Sequence, residues 1–439
     1  MKEIVKQTSE KPSKALRRPV RLKFKSTIKR GTGEAHILME NNPDFDFTND
    51  IVNAALKNNA FDEQSEGTRA EYIYDLTKIS GNEKEIKDAV LKALATQESD
   101  MGALEQLFDL AAMFAFEGDE NAKKAVYKRY FKKLQTGSEH VGEQAILAID
   151  GIEGLKHIAE TKGKFIKSNK SFLETSKIAD RFQEENPSVK VYKELEKAAG
   201  TNPAIKIYLD VIRNNKSDAK KTDKKSAYDK INELITSGDN VIIPKALINE
   251  LSKSEIVKIA DDFLAEVETE RKEMYLQVFA LIEFPYSYKP LLKLAGKKNA
   301  IKDKISEYAC KSLQFFSGPD IRKFAITKLK DSTYPFQYFD LLVSNYKAGD
   351  SVLLTKFAKY FKHIQTVHML AKSYIKIYNA NNTAECEAPL LALYENLTCG
   401  ICRADILKIL IKNKVIPAQI KKEIKYDSYA GVRALYKGK

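Results

Sequence analysis

The stretch at residues 101–116, MGALEQLFDLAAMFAF, decides the fold. Leu104, Leu107, Phe108, Ala111 and Ala115 stand at i, i+3, i+4, i+7 and i+11, one broad stripe of an α-helix. A strand would need a period of two, which the run lacks. Working outward, amphipathic stretches of roughly 10–17 residues recur from Asp44 to Tyr436, divided by short breaks carrying Gly, Pro, Asn or Asp. Upstream lie Phe47–Lys57, a helix capped by Ser65 that runs through Tyr72, Ile73 and Leu76, and Glu83–Ala95. Downstream follow Asn121–Leu134, Val141–Ile149, Leu155–Thr161, Phe172–Glu185 and Val189–Ala199. The fold class is all-α. A chain this long, made of short helices, predicts an α-solenoid of helical hairpins, an architecture that binds partners more often than it catalyses.

The one place where another period competes is residues 19–40. Val20, Leu22, Phe24 and Ile28 alternate with Arg21, Lys23, Lys25 and Lys29, and Arg30-Gly31-Thr32-Gly33 could turn such a strand back through His36 to Met39 as a short N-terminal β-hairpin. The alternative is a helix starting at Thr32, an N-cap ahead of Glu34. Both readings stand on the sequence.

Of 439 residues 43% are apolar, with 21 Tyr and 21 Phe, which supports a packed core and excludes global disorder. No run approaches the roughly 20 apolar residues of a membrane span, and residues 1–30 lack the apolar core of a signal peptide. Four cysteines, Cys310, Cys386, Cys399 and Cys402, suit a reducing compartment. The expectation is a soluble cytoplasmic protein with no membrane partner. The net charge of +13 is unevenly laid out: residues 31–120 hold 20 acids against 6 basic residues, and residues 286–380 hold 17 basic residues against 6 acids. This layout predicts a basic disordered arm at 1–18, an acidic helical domain at 19–165, middle helices at 166–236 with a Lys-rich loop from Asn214 to Ser226, and a basic helical region at 237–439.

In that last region Ala300–Phe315 is broken by Ser317-Gly318-Pro319-Asp320, and the run Asp320-Ile-Arg-Lys-Phe-Ala-Ile-Thr-Lys-Leu329 then starts a helix with Pro at its head. Phe336–Tyr346 with Ser351–Phe361, and Pro389–Leu397 with Arg403–Asn413, have the proportions of helix pairs. The run resembles one helix of a HEAT repeat, and the resemblance extends over about 240–435. It implies a solenoid of helix pairs, a fold shared by transport, scaffolding, phosphatase-assembly and DNA-repair proteins.

Chemistry-bearing motifs are few. Cys399-Gly400-Ile401-Cys402 heads the helix Arg403–Asn413, where a redox pair or, with Cys386 and one of His363 or His368, a zinc site is conceivable. The βαβ setting of a thioredoxin-like pair is missing, and small thiols packing a helix start explain the motif more simply. Gly31-Thr32-Gly33 lacks the rest of a phosphate-binding fingerprint, and HExxH, GxSxG and Walker A patterns are absent. Asp44, Asp46 and Asp50 lack the Gly and terminal Glu of a calcium loop, so helix capping accounts for Asp44 and Asp46. No catalytic, cofactor or metal residue is assigned. Aromatics interleave with basic residues at Tyr127–Lys133 and Tyr360–His363, as in surfaces that stack bases and neutralise phosphates, or as in plain amphipathic helices.

The functional expectation is a non-catalytic binding scaffold. Arg322, Lys323, Lys328, Lys356, Lys359 and Lys362 on its basic face would hold an acidic protein or nucleic acid. The alternative is an enzyme acting on nucleic acid, such as a HEAT-like DNA glycosylase. That family's lesion-site aromatics are typically Trp, and this chain has none. The partner's identity and the oligomeric state leave no mark in the sequence.

Overall fold

The computed structural model describes residues 14–135, 141–169, 174–214, 225–237, 242–296 and 304–436, and among them there is no strand. The Lys-rich segment at 214–226, the arm up to residue 13 and the start of the expected Phe172–Glu185 helix fall mostly or wholly outside the described residues. No described helix is long and apolar enough to cross a membrane. The chain divides into two compact units. The first comprises residues 1–221, 398–401 and 418–439; the second comprises 222–397 and 402–417.

The first unit is built around the helix Met101–Phe116, whose Leu104, Leu107, Phe108, Ala111 and Ala115 are all buried. Asp100 caps it, accepting the Ala103 N–H at 2.9 Å. The helices Glu83–Thr96, Glu120–Gln135 and Glu143–Ser168 pack against it, as does Ala70–Ile79. Contacts thus run mainly between helices that are next, or next but one, along the chain.

The expected N-terminal hairpin is not formed: residues 14–30 and 34–40 are helices. Val20, Phe24 and Ile28 are also spaced i, i+4, i+8, and burial follows that spacing, with Phe24 and Ile28 buried and Leu22 59% exposed. The second helix begins at Glu34 behind Gly33, not at a Thr32 cap. Ser65 is likewise not the cap of the helix through Tyr72. It lies in a single turn, Glu63–Glu66, capped by Asp62, and Gly67 at φ 76° breaks the chain before Ala70. The two helices expected at Val141–Ile149 and Leu155–Thr161 are present; they follow one another within Glu143–Ser168, parted at Gly151, whose φ 54° and ψ −123° are not helical. Inside this element Lys162 is fully buried between Glu143 and Glu174, with N–O distances of 2.6 Å to each.

Residues 418–436 complete the first unit with the helices Ala418–Glu423 and Ala430–Arg433. They dock on the N-terminal helices: Ser428 N–H donates to Gly31 O at 2.8 Å, and the Tyr426 ring stacks on His36 at 3.7 Å. This close approach explains the Gly-Thr-Gly triplet. A Cβ on Gly31 would sit 2.1 Å from Ser428 Oγ, and one on Gly33 would sit 1.9 Å from Glu423 O. Gly31 also holds φ 76°. The glycines make room for the Ser428 side chain and the Glu423 backbone.

In the second unit the helices Ala227–Thr236, Lys253–Ala265 and Thr269–Phe279 enclose a cluster in which Phe263, Phe279 and Phe284 meet at centroid distances of 4.8–6.0 Å. A capping box opens Lys253–Ala265: Ser252 Oγ accepts from Glu255 N, and the Glu255 carboxylate accepts from Ser252 N at 2.9 Å. The Ser252 hydroxyl, followed by the Ser252 and Tyr228 N–H groups, donates to the Glu255 carboxylate and holds it down at about 2. Further along, Lys304–Ser312 and Pro319–Asp331 pack on a 3₁₀ segment, Phe336–Leu342, where a longer helix to Tyr346 was expected. Helices Asp350–Tyr360, Ile364–Ala380 and Glu387–Tyr394 follow, with Phe339 buried against Phe357 and Tyr374.

Candidate polyanion-binding surface

The six basic residues singled out from sequence all belong to the second unit and are differently employed. Arg322, in the first turn of Pro319–Asp331, donates to both oxygens of Asp350 at 2.7 and 2.8 Å and to Asn345 O at 2.6 Å. Asp350 also accepts the Lys347 N–H, while Asn345 receives the Gly318 N–H and donates to Phe316 O. The Asp350 carboxylate raises the already high proton affinity of the guanidinium. Its charge is balanced, and its role is to clamp the start of one helix to the start of the next. Lys328 is half-buried, with its ammonium 5.8 Å from the Phe324 ring centre.

Lys323, Lys356, Lys359 and Lys362 are exposed, and no ion pair reaches them from the described residues. Three of the nearby carboxylates are already committed, while Asp331, next to Lys330, makes no ion pair among the described residues. Asp320 is held by Lys289 and by the Tyr288 hydroxyl at 2.8 Å, which keep it down at about 2; Asp340 takes Lys376 and Asp350 takes Arg322. Lys323, Lys356, Lys359 and Lys362 thus stand outside every ion pair among the described residues. Sequence reasoning passed over a fifth, exposed Lys330, although its position seven residues after Lys323 puts both on one helix face.

Beside Lys356, Lys359 and Lys362 runs a row of rings. Tyr334 meets Phe336 at 4.7 Å, Phe336 meets Phe361 at 5.0 Å, and Phe361 meets Tyr360 at 5.0 Å. The inner members are wholly or half buried, while the ends are open, Tyr334 at 45% and Tyr360 at 73% exposure. Lys356 precedes Tyr360 by four residues and so neighbours it on the helix surface, and Lys359 and Lys362 flank it along the chain. Val352, on the same helix face as Lys356 and Lys359, is 75% exposed. Tyr334 went unremarked in the sequence because the row it opens continues through Phe336 to Phe361, which is distant in the chain.

The other basic–aromatic segment behaves as an ordinary amphipathic helix. Tyr130 is buried, the Tyr127 hydroxyl and Lys123 both serve Asp150, and Arg129 bonds Glu98 and Gln97 O. Asp46 accepts the Thr48 N–H at 2.9 Å beside a helix start, the local role expected of it. All four cysteines are buried thiols outside any disulfide. Burial pushes the Cys386 thiol up to about 11, and Cys310 higher still. Cys402, in the first turn of Gly400–Lys412, lies 3.6 Å from His368 Nδ1, while His363 is exposed.

Comparison with family models, with curated proteins and with solved structures returns no match.

Proposed function

We propose that this chain is a non-catalytic binding scaffold whose second unit holds single-stranded nucleic acid on the surface carrying Lys323, Lys330, Lys356, Lys359 and Lys362. One observation carries the reading: the ring row ends in two exposed tyrosines, and lysines with no carboxylate partner stand beside them in the chain. Bases stack on such rings whatever their sequence, and ammonium groups track the phosphates. An acidic peptide would satisfy the lysines but would leave the tyrosine faces without a partner of matching shape. The HEAT-like solenoid belongs to the same proposal, supported by helices that pack on their next and next-but-one neighbours along the chain. So does a cytoplasmic setting, which suits four thiols outside any disulfide.

The test is fluorescence anisotropy with a labelled 20-nucleotide oligo-uridine and with a poly-glutamate peptide, over several salt concentrations. Single-strand binding falls with salt at about 0.7 log units per neutralised phosphate, so replacing Lys356, Lys359 and Lys362 by Gln should flatten the slope by about 2. Tyr360→Ala should weaken binding several-fold with the slope unchanged. Equal affinity for both ligands, or an unaltered slope in the triple variant, refutes the proposal.

A further inference from the structure

Away from this surface, the first unit carries an open cavity of about 640 Å³. The start of Ala70–Ile79, one face of Met101–Phe116 and the first half of Glu143–Ser168 line it, with Ser428 at one side. Ala112, Met113, Ala145 and Ala148 supply an aliphatic wall, and Phe116, 78% exposed, adds an open ring. Three carboxylates reach this space. Glu71 is paired with Arg433, and Glu117 with Lys78. Among the described residues no cation pairs with Asp109: its Oδ2 accepts the Thr68 hydroxyl at 2.5 Å, and no other hydrogen bond from them reaches the carboxylate. Burial, reinforced by the neighbouring Glu105 charge, pushes Asp109 up to about 6. A carboxylate is held there only at a free-energy cost, and a cation beside it would remove that cost.

We propose that this cavity binds a small organic monocation, a primary ammonium on an apolar body, with Asp109 as its counter-ion. The volume lies within the range of small-molecule sites, and the lining combines a mostly apolar wall with few polar groups, as such sites do. The charge count selects the ligand. One carboxylate is uncommitted, so one positive charge completes the site, whereas a polyamine would bring charges that Glu71 and Glu117, already on Arg433 and Lys78, do not need. An anion would face three carboxylates. A neutral apolar ligand would seal Asp109 away from water without a partner, which opposes its binding. A divalent metal would find a single free carboxylate where it wants several oxygen ligands.

Isothermal titration of the full chain at pH 7.5 tests this, with hexylamine as the probe and hexanol and hexanoate as its neutral and anionic counterparts. Hexylamine should bind one to one, hexanol at least tenfold more weakly, and hexanoate not at all. Asp109→Asn keeps the shape and an acceptor for Thr68; it should weaken hexylamine at least tenfold and leave hexanol unchanged. Ala148→Phe, at an exposed position of the wall, should weaken both. The comparison of hexylamine with hexanol in the parent protein needs no variant to fold. Equal affinities there, an unchanged hexylamine affinity in Asp109→Asn, or no binding by any probe at millimolar concentration would each overturn the assignment. So would binding of the tripeptide Gly-Lys-Gly where hexylamine fails, since that would point to a protein side chain as the occupant.

Discussion

Replacing Asp109 by Asn should make the protein's stability less dependent on pH in a defined window and with a defined sign. In the unfolded chain the carboxyl titrates at its ordinary value of 3.8, and in the folded chain at about 6. Below both values the group is protonated in both states and contributes nothing. Between them the folded state keeps the proton and the unfolded state releases it, so stability falls as pH rises. Above about 6 both states are ionised and the loss is complete. The rise from 3.8 to about 6 is roughly two units at about 1.4 kcal/mol each, so the full penalty is at most about 3 kcal/mol. Asn carries no such penalty and can still accept from Thr68. Urea unfolding of parent and variant at half-unit steps from pH 4 to 7.5, followed by far-UV circular dichroism, reads the difference directly. The variant should gain on the parent by about 2–3 kcal/mol across pH 4–6 and then hold level, all other titrating groups cancelling. A constant difference over the whole range would show that the Asp109 carboxyl is solvated like any surface acid.

Other expectations follow from buried or committed charges. Lys162→Met should cost about 3–5 kcal/mol, because it leaves Glu143 and Glu174 buried without their cation; thermal unfolding of the full chain measures it, and a shift of under 2 °C would refute it. Arg322→Met should lower the unfolding midpoint through the lost clamp on Asp350 while leaving the salt dependence of oligo-uridine binding unchanged; a flattened slope would show that Arg322 meets phosphate after all. Replacing Cys399 and Cys402 by Ala should cost at most a few kcal/mol of packing and leave the metal content of the purified protein at zero; stoichiometric zinc in the parent would overturn the packing role.

What could be read in the sequence depended on how far apart the deciding groups lie. The helix Met101–Phe116 was legible because its stripe is local and its cap, Asp100, is adjacent. Residues 20–28 were ambiguous because Val20, Phe24 and Ile28 satisfy two periods at once, and only the exposure of Leu22 separates them. The break between Ile149 and Leu155 was legible, but not that the single residue Gly151 makes it. At the candidate surface the cations were legible, since lysines four and seven residues apart share a helix face. The loss of Arg322 to Asp350 was not, for the partner sits 28 residues on. The isolation of Asp109 was further out of reach. It depends on Glu71 being occupied by Arg433, 362 positions away, and a carboxylate's lack of a partner has no local signature.

The return of residues 418–436 to the first unit has a consequence for synthesis. Translation delivers residues 1–221 first, yet the segment that stacks Tyr426 on His36, bonds Ser428 to Gly31 and neutralises Glu71 with Arg433 is made some two hundred residues later. At about 5–20 residues per second the ribosome needs on the order of 10–40 s to produce it. Throughout that interval the glycines at 31 and 33 face an empty slot, and the nascent first unit waits with an open seam while the whole of the second unit is being made. The seam is where a chaperone would find this chain during synthesis, and where a truncated product would show its incompleteness.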